Sequence, residues 1–298
     1  MNITRKRSHL VITIPGKWNN LTIDDFFRTA LQAPKKLIHE WRMSKNITLN
    51  DVPVKWSSIL KEGDEISIPV FDEEIENPVV PNDLGISILY EDDHLLIANK
   101  PAGMDTHPSS QEISNTLLNG VAYHLKATGQ NCMIKHIHRL DKDTTGAVIF
   151  AKNRLAGSIL DRMLEEREIS RTYLAIAEGL IEGEKGTIRT NIGRDRHHPT
   201  RRRVSPSGQT AVTHYKVEKR WPDKKMTLIS CTLESGRTHQ IRVHLSSINH
   251  PLAGDVLYGG KRIFPRQALH ARKITFIHPL TEQAVDCVAP FLDVPPIF

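Results

Sequence analysis

His138-Arg139-Leu140-Asp141-Lys142-Asp143-Thr144-Thr145-Gly146 runs without a break into Ala147-Val148-Ile149-Phe150-Ala151. Five apolar residues in a row predict a buried strand, and the polar segment ahead of them predicts a turn at the strand's mouth. A rigid scaffold presents reactive groups from such turns. Asp141 is the candidate reactive carboxylate. The competing reading is local, because Asp143, Thr144 and Gly146 suffice for an Asx-type turn with no chemistry in it.

Beyond the strand, Arg154 to Glu166 reads as a helix with Leu155, Ile159, Met163 and Leu164 on one stripe, a stripe for the core. Glu168 to Ala177 is strand-like and contains Tyr173, which on alternation alone is a core aromatic. Residues 183–208 hold several glycines with Arg194, Arg196, Arg201, Arg202 and Arg203, and show no folding pattern of their own. Guanidinium groups at that density suit phosphate contact, and the segment is expected to order on a nucleic acid; a solvated loop tip is the alternative for Arg201-Arg202-Arg203. Ala211 to Val217 and Met226 to Leu233 resume strands and lead into Gly236-Arg237-Thr238-His239-Gln240-Ile241-Arg242-Val243-His244. On the other side, Ile86 to Tyr90 and Leu95 to Asn99 predict two strands closed by a bend at Lys100-Pro101-Ala102-Gly103, and Thr116 to Leu125 predicts a helix.

The first seventy residues form a separate pattern. A strand at His9 to Pro15 is followed by a helix capped at Thr22 with Phe26, Phe27, Ala30 and Leu31 on one face, then by a second helix from Pro34 through Trp41. A hairpin around Asn50-Asp51 and a strand from Glu65 to Val70 complete a unit near the lower size limit for independent stability. Residues 71–83 are acidic, contain two prolines and read as a linker, which leaves 84–298 as one larger domain.

The chain has 298 residues and a formal charge of +6, which favours an anionic partner, nucleic acid first. Three widely spaced cysteines argue against a disulfide framework and suit a reducing cytoplasm. The basic N-terminus is followed by no sustained apolar run, and no segment is long enough to span a bilayer, so a membrane partner is not expected. No GxxxxGK[ST] or GxGxxG pattern offers a seat for a nucleotide cofactor, and the fifteen histidines include neither an HExxH pattern nor a thiolate partner for a metal. Neither cofactor nor metal is expected, and the chain is read as a monomer.

HRLDKDTTG with its apolar strand, the Lys100-Pro101-Ala102-Gly103 bend, GRTHQIRVH, and then His250-Pro251-Leu252-Ala253-Gly254-Asp255 with Leu257-Tyr258-Gly259 together resemble the RluA-type family of RNA pseudouridine synthases. Thr145 stands where many members have Ser, which keeps the hydroxyl. The order of elements in residues 1–70 is similar to the αL RNA-binding unit that often precedes the catalytic domain. Ala33-Pro34-Lys35-Lys36 replaces the usual Ser-Arg-Ser-rich helix start, and Lys35, Lys36, Arg42 and Lys45 are candidate phosphate contacts there.

The resemblance implies an α/β (α+β) fold with a mixed, largely antiparallel sheet. It also implies conversion of uridine to pseudouridine within ribosomal or transfer RNA, by base flipping and cleavage of the glycosidic bond. It assigns the reaction to Asp141, with Tyr173 against the target base and Arg242 pairing the carboxylate; Arg237 is the fallback partner. Cleavage builds positive charge at the sugar carbon, which an anion at Asp141 stabilises, and a neighbouring arginine favours that anion. Arg139 is placed in the space the flipped base leaves. His138, Thr144, Lys100, Arg237, His239, Gln240 and Arg201-Arg202-Arg203 complete the expected RNA contacts. No general base for carbon 5 is identified beyond Tyr173 by reach. Two other classes stay open: an RNA-binding protein that keeps the fold without the chemistry, and a base hydrolase using Asp143 to activate water.

Overall fold

The structure, a computed structural model, describes residues 2–71, 79–110 and 112–298. Most of the expected linker, 72–78, lies outside the described residues.

The N-terminal unit is a five-stranded antiparallel sheet in the order β1-β2-β5-β3-β4, formed by β1 (Asn2–Lys6), β2 (His9–Thr13), β3 (Thr48–Leu49), β4 (Val52–Pro53) and β5 (Glu65–Pro69). β1 was not expected from the sequence. Its residues are mostly exposed and polar, so it carries no apolar alternation, and only its pairing with β2 makes it a strand. The hairpin turns at Asn50 (φ 51°) and Asp51 (φ 62°), the two left-handed positions that a tight two-residue loop requires. Thr22 caps α1 (Ile23–Asp25), its hydroxyl accepting the Asp25 N–H at 3.1 Å, and a wider turn through Phe26–Ala30 continues it. Phe26, Phe27 and Leu31 are buried with Leu37, Ile38 and Trp41 of α2 (Lys35–Ser44).

The unit is seated on the larger domain. Its core merges with Leu95, Ile97, Ile149 and Leu155 of that domain in one apolar cluster. Phe71 lies between the Arg5 guanidinium, 4.2 Å from its ring, and His94, 5.5 Å away. The ion pairs Arg5–Asp93 (3.0 Å) and Arg154–Glu40 (2.6 Å) flank the seam.

The larger domain is built on a ten-stranded sheet. Its main path runs β11 (Lys185–Arg189), β14 (Val212–Trp221), β15 (Met226–Leu233), β10 (Ser170–Glu178), β16 (Leu269–Ile277), β9 (Thr145–Ala151), β7 (Leu95–Lys100), β6 (Ser87–Glu91). Two further strands join it, β8 (Lys135–His136) on β9 and β17 (Ala284–Val288) on β16. All pairs are antiparallel except β9 with β16, so the sheet is mixed and largely antiparallel. All seven residues of β9 are buried, as the unbroken apolar run demands. Val148 and Phe150 face α3 (Leu117–Ala127), while Ala147, Ile149 and Ala151 face α4 (Arg154–Glu165) and the N-terminal unit. Asn153 caps α4 by accepting the Ala156 N–H at 2.8 Å.

Residues 183–208 correct the expectation of an unstructured loop. They contain β11, an edge strand of the main sheet, and a hairpin of β12 (Ile192–Arg194) with β13 (Arg202–Val204). The buried apolar content is only Ile188 and Ile192, too sparse to show as periodicity among the arginines.

Strand register sets up the site. Lys100, Gly146, Ala271, Tyr173, Cys231, Tyr215 and Gly186 lie in one row across seven strands. The mouth of β9, which follows the Asp141 turn, is therefore separated from Tyr173 by a single strand, β16. Gly146 (φ 114°) makes that possible, since a Cβ there would sit 2.3 Å from the Ala271 carbonyl oxygen.

Candidate active site

The Asp141 turn, β10 and the segment from Leu233 to Arg242 enclose a cleft of about 450 Å³, lined by Arg139, Asp141, Arg171, Tyr173, His239 and Arg242 among others. A second concavity continues from it past Lys142, Asp143, Arg262 and Arg266 and shares Arg139, Asp141, His239 and Arg242. Within the turn the Thr144 N–H is donated to the Asp141 carbonyl at 3.0 Å, which leaves the Asp141 side chain free to face the cleft.

Arg242 joins the two distant motifs. It lies on α5 (Gln240–Ser247), and its Nη1 donates to Asp141 Oδ2 at 3.1 Å. Its Nε and Nη2 fork onto Asp255 at 2.8 and 2.9 Å, and the guanidinium carbon stands 5.0 Å from the centre of the Tyr258 ring. The Asp255 side chain is 1% exposed and that of Asp141 18%, so one carboxylate anchors the arginine in the interior while the other meets the cleft. Burial works against the charge on Arg242, but Asp255 and Asp141 outweigh it and hold its pKa above the ordinary value.

His239 occupies the left-handed region (φ 60°) at the start of α5, a conformation costly for a residue with a side chain. The Tyr258 hydroxyl lies 2.8 Å from its Nδ1 and also accepts the Arg202 N–H at 2.8 Å, while Nε2 stands 3.8 Å from Asp141 Oδ2. Burial pushes the His239 pKa down against the pull of Asp141. Tyr173 is 4% exposed, and burial raises its phenol pKa, with Arg171 opposing.

Asp141, Tyr173 and Arg242 are thus brought to one cleft, as are Arg139, Arg237 and His239. Arg237, the fallback partner for Asp141, is exposed and donates instead to the Thr210 carbonyl at 3.2 Å. Arg201 is tied to Asp195, Arg202 is half-buried, and Arg203 is exposed on β13.

Four expected RNA contacts, Lys100, Gln240, His138 and Thr144, are buried and hydrogen-bonded within the protein, although the last three line the cleft and His138 Nδ1 is left without a hydrogen-bond partner among the described residues. The Lys100 ammonium donates to the carbonyls of Pro101, Met104 and Lys142 at 2.7–2.9 Å, and burial pushes its pKa down to about 7. Gln240 bonds Ser235, Arg237, Val212 and Thr213 and so fixes the turn before α5. His138 accepts the Ile149 N–H at 3.3 Å beneath the turn, and Thr144 accepts from Gln267 at the same distance. Asp255 and Tyr258 were missed as functional residues. Both stand in motifs visible in the sequence, yet nothing in the spacing shows that they brace Arg242 and His239.

Among the described residues, no cluster of three or more histidines, cysteines or acids has metal-binding geometry, and no helix is long and apolar enough to cross a membrane.

The fold is shared with a solved RNA pseudouridylate synthase. The family model for RNA pseudouridylate synthase matches residues 94–247, and that for the RluD ribosomal pseudouridine synthase N-terminal domain matches residues 10–66. The chain belongs to the RluA-type family of RNA pseudouridine synthases and is an RNA pseudouridine synthase. Similar proteins include YhcT of Bacillus subtilis (strain 168), an uncharacterized RNA pseudouridine synthase that is 47% identical over 290 residues, or 97% of this chain and 96% of that one. Ribosomal large subunit pseudouridine synthase D of Neisseria meningitidis (strain Z2491) is 38% identical over 85% of this chain and 71% of its own. The solved structure of human RNA pseudouridylate synthase domain containing 1 matches with a TM-score of 0.57 at 25% identity, covering 73% of this chain and 86% of that one.

Proposed function

We propose that the protein converts uridine to pseudouridine in ribosomal RNA, with Asp141 as the reacting carboxylate. The Arg242 bridge carries this reading: one guanidinium, anchored on the buried Asp255, holds a carboxylate at the cleft in a fixed place. Ribosomal RNA is preferred as substrate on the name of the Neisseria meningitidis relative.

The target uridine leaves its stack and enters the cleft, Arg139 takes the space it leaves, and Tyr173 lies against the base. The bond from C1′ to N1 breaks with its electron pair going to uracil, while the Asp141 carboxylate stabilises or traps the positive C1′. The base turns so that C5 bonds to C1′. The C5 proton then leaves and N1 takes one up, which makes the reaction a net isomerisation. Residues 1–70 act as an RNA-binding unit ahead of the catalytic domain, 84–298. Arg203 and Arg237, both exposed, contact phosphates. The cysteine spacing supports a reducing cytoplasm, and the sequence offers no phosphate-loop motif to seat a nucleotide cofactor.

The test is tritium release from RNA labelled at uridine C5, with pseudouridine mapped after digestion. Wild type should release tritium and Asp141→Asn should not. Equal release by both proteins would refute the role of Asp141, and RNA binding without release by wild type would favour a silent binding protein.

A further inference from the structure

Asp293, near the C-terminus and far in sequence from both motifs, is linked to the Asp141 turn through one buried arginine. Arg266 is 6% exposed, and its Nε and Nη2 fork onto Asp293 at 2.8 and 2.6 Å. The remaining donors reach the turn and the strand beside it. Nη2 bonds Thr145 Oγ1 at 3.0 Å, and Nη1 is shared among the carbonyls of Asp143 (3.2 Å), Gln267 (2.8 Å) and Leu269 (2.9 Å). A guanidinium has five N–H donors, and all are engaged, so none is left for a phosphate although Arg266 borders the second concavity.

The tail makes a second link to the same hydroxyl. Thr145 Oγ1 lies 2.7 Å from His270 Nδ1, and the other nitrogen of His270 bonds the Ala289 carbonyl at 3.1 Å. Phe291 packs on the His270 ring at 4.8 Å, and Asn99 donates to the Pro290 carbonyl at 3.0 Å. Residues 289–293 are therefore strapped behind the turn.

We propose that Asp293 is a positioning residue for the isomerisation, acting through Arg266 to fix the Asp143 carbonyl and the Thr145 hydroxyl, and with them the turn that carries Asp141. The inference rests on the reading of Asp141 as the reacting carboxylate. Asp293 supplies the countercharge; the other partners of Arg266 are neutral oxygens. With residue 293 neutral, the buried guanidinium is drawn to the carboxylates of Asp141 and Asp143, which border the same concavity, and the turn moves with it. A displacement of about 1 Å at a reacting group can cost about a hundredfold in rate.

The experiment compares full-length wild type, Asp141→Asn, Asp293→Asn and Asp293→Glu in tritium release at saturating RNA, alongside direct RNA binding. Asp293→Asn should lower kcat about ten- to a hundredfold with KM and RNA affinity within about twofold of wild type. Asp293→Glu, which keeps a carboxylate fork, should recover most of the rate. A loss explained only by a smaller folded fraction, or no loss in kcat while Asp141→Asn is inactive, overturns the positioning role and leaves the reading of Asp141 standing. Activity in Asp141→Asn removes that reading instead. If Asp293→Asn does not fold, Arg266→Lys serves: it keeps the charge for Asp293 but lacks the fork that joins Asp293 to Thr145 and the Asp143 carbonyl, so an unchanged kcat would overturn the inference.

Discussion

Replacing Arg242 by Lys keeps the charge and removes the fork. The guanidinium makes three charge-assisted bonds, two to Asp255 and one to Asp141, and an ammonium on a single stem can serve one carboxylate well. Burial decides which: Asp255 is 1% exposed and has the larger desolvation penalty if left alone, so in Arg242→Lys the ammonium pairs inward and Asp141 loses its partner. A net loss of about two such bonds costs about 3–5 kcal/mol of stability. The freed Asp141 side chain samples several orientations, for a fall in rate of about a hundredfold. Single-turnover tritium release at saturating RNA measures the rate, and urea denaturation the stability. A variant that reacts at the wild-type rate while losing the expected stability would show that Asp255 and Asp141 need no shared arginine, and would refute the bridging argument.

Gly146→Ala forces a Cβ to within 2.3 Å of the Ala271 carbonyl at a backbone φ of 114°, so the protein should lose several kcal/mol or fail to fold; chemical denaturation reads this out. Asp92 is half-buried, which opposes its charge, yet bonds from His278, the His94 N–H and the Tyr90 hydroxyl hold its pKa far below the usual carboxylate range. A depressed carboxylate stabilises the fold above its unfolded pKa near 4 and loses that contribution as pH falls, so Asp92→Asn should flatten the stability profile below about pH 4. Because Phe71 and the N-terminal core merge with the larger domain, calorimetry should record one unfolding transition for both, and two separated transitions would contradict the shared core. Arg203→Ala should weaken RNA binding and reduce its salt slope by about 0.7–0.9, and an unchanged slope would remove Arg203 from the phosphate contacts.

Local signals carried much of the fold. The apolar run at Ala147–Ala151, the Thr22 cap and the Asn50-Asp51 hairpin all depend on neighbours in sequence, and each is where its residues imply. The arginine-rich segment misled because an edge strand needs few apolar residues, and there the charges dominate the pattern. Asp141, Tyr173 and Arg242 could be picked out through motif resemblance, and the cleft unites them. Their supports could not, since Asp255, Tyr258, Arg266 and Asp293 act through contacts between chain segments whose proximity exists only once the sheet is assembled. The inward roles of Lys100 and Gln240 illustrate the same limit: a polar residue in a turn serves the backbone or a ligand, and only its hydrogen-bond partners distinguish the two.

The parallel pairing of β9 with β16 has a consequence for biosynthesis. β16 begins at Leu269, yet it lies at the centre of the sheet, between a half that starts with β6, β7 and β9 and a half made of β10, β15, β14 and β11. Until that last segment leaves the ribosome, β10 presents an unsatisfied edge and β9 is open at its first residues, beyond the stretch that β8 covers, so the emerging chain has two half-sheets that can pair with other molecules. The Thr145–His270 contact spans 125 residues, so the Asp141 turn is fastened only at the end of translation. An incomplete chain would have the aspartate but no assembled cleft, and truncated products should accumulate as aggregates without modifying RNA.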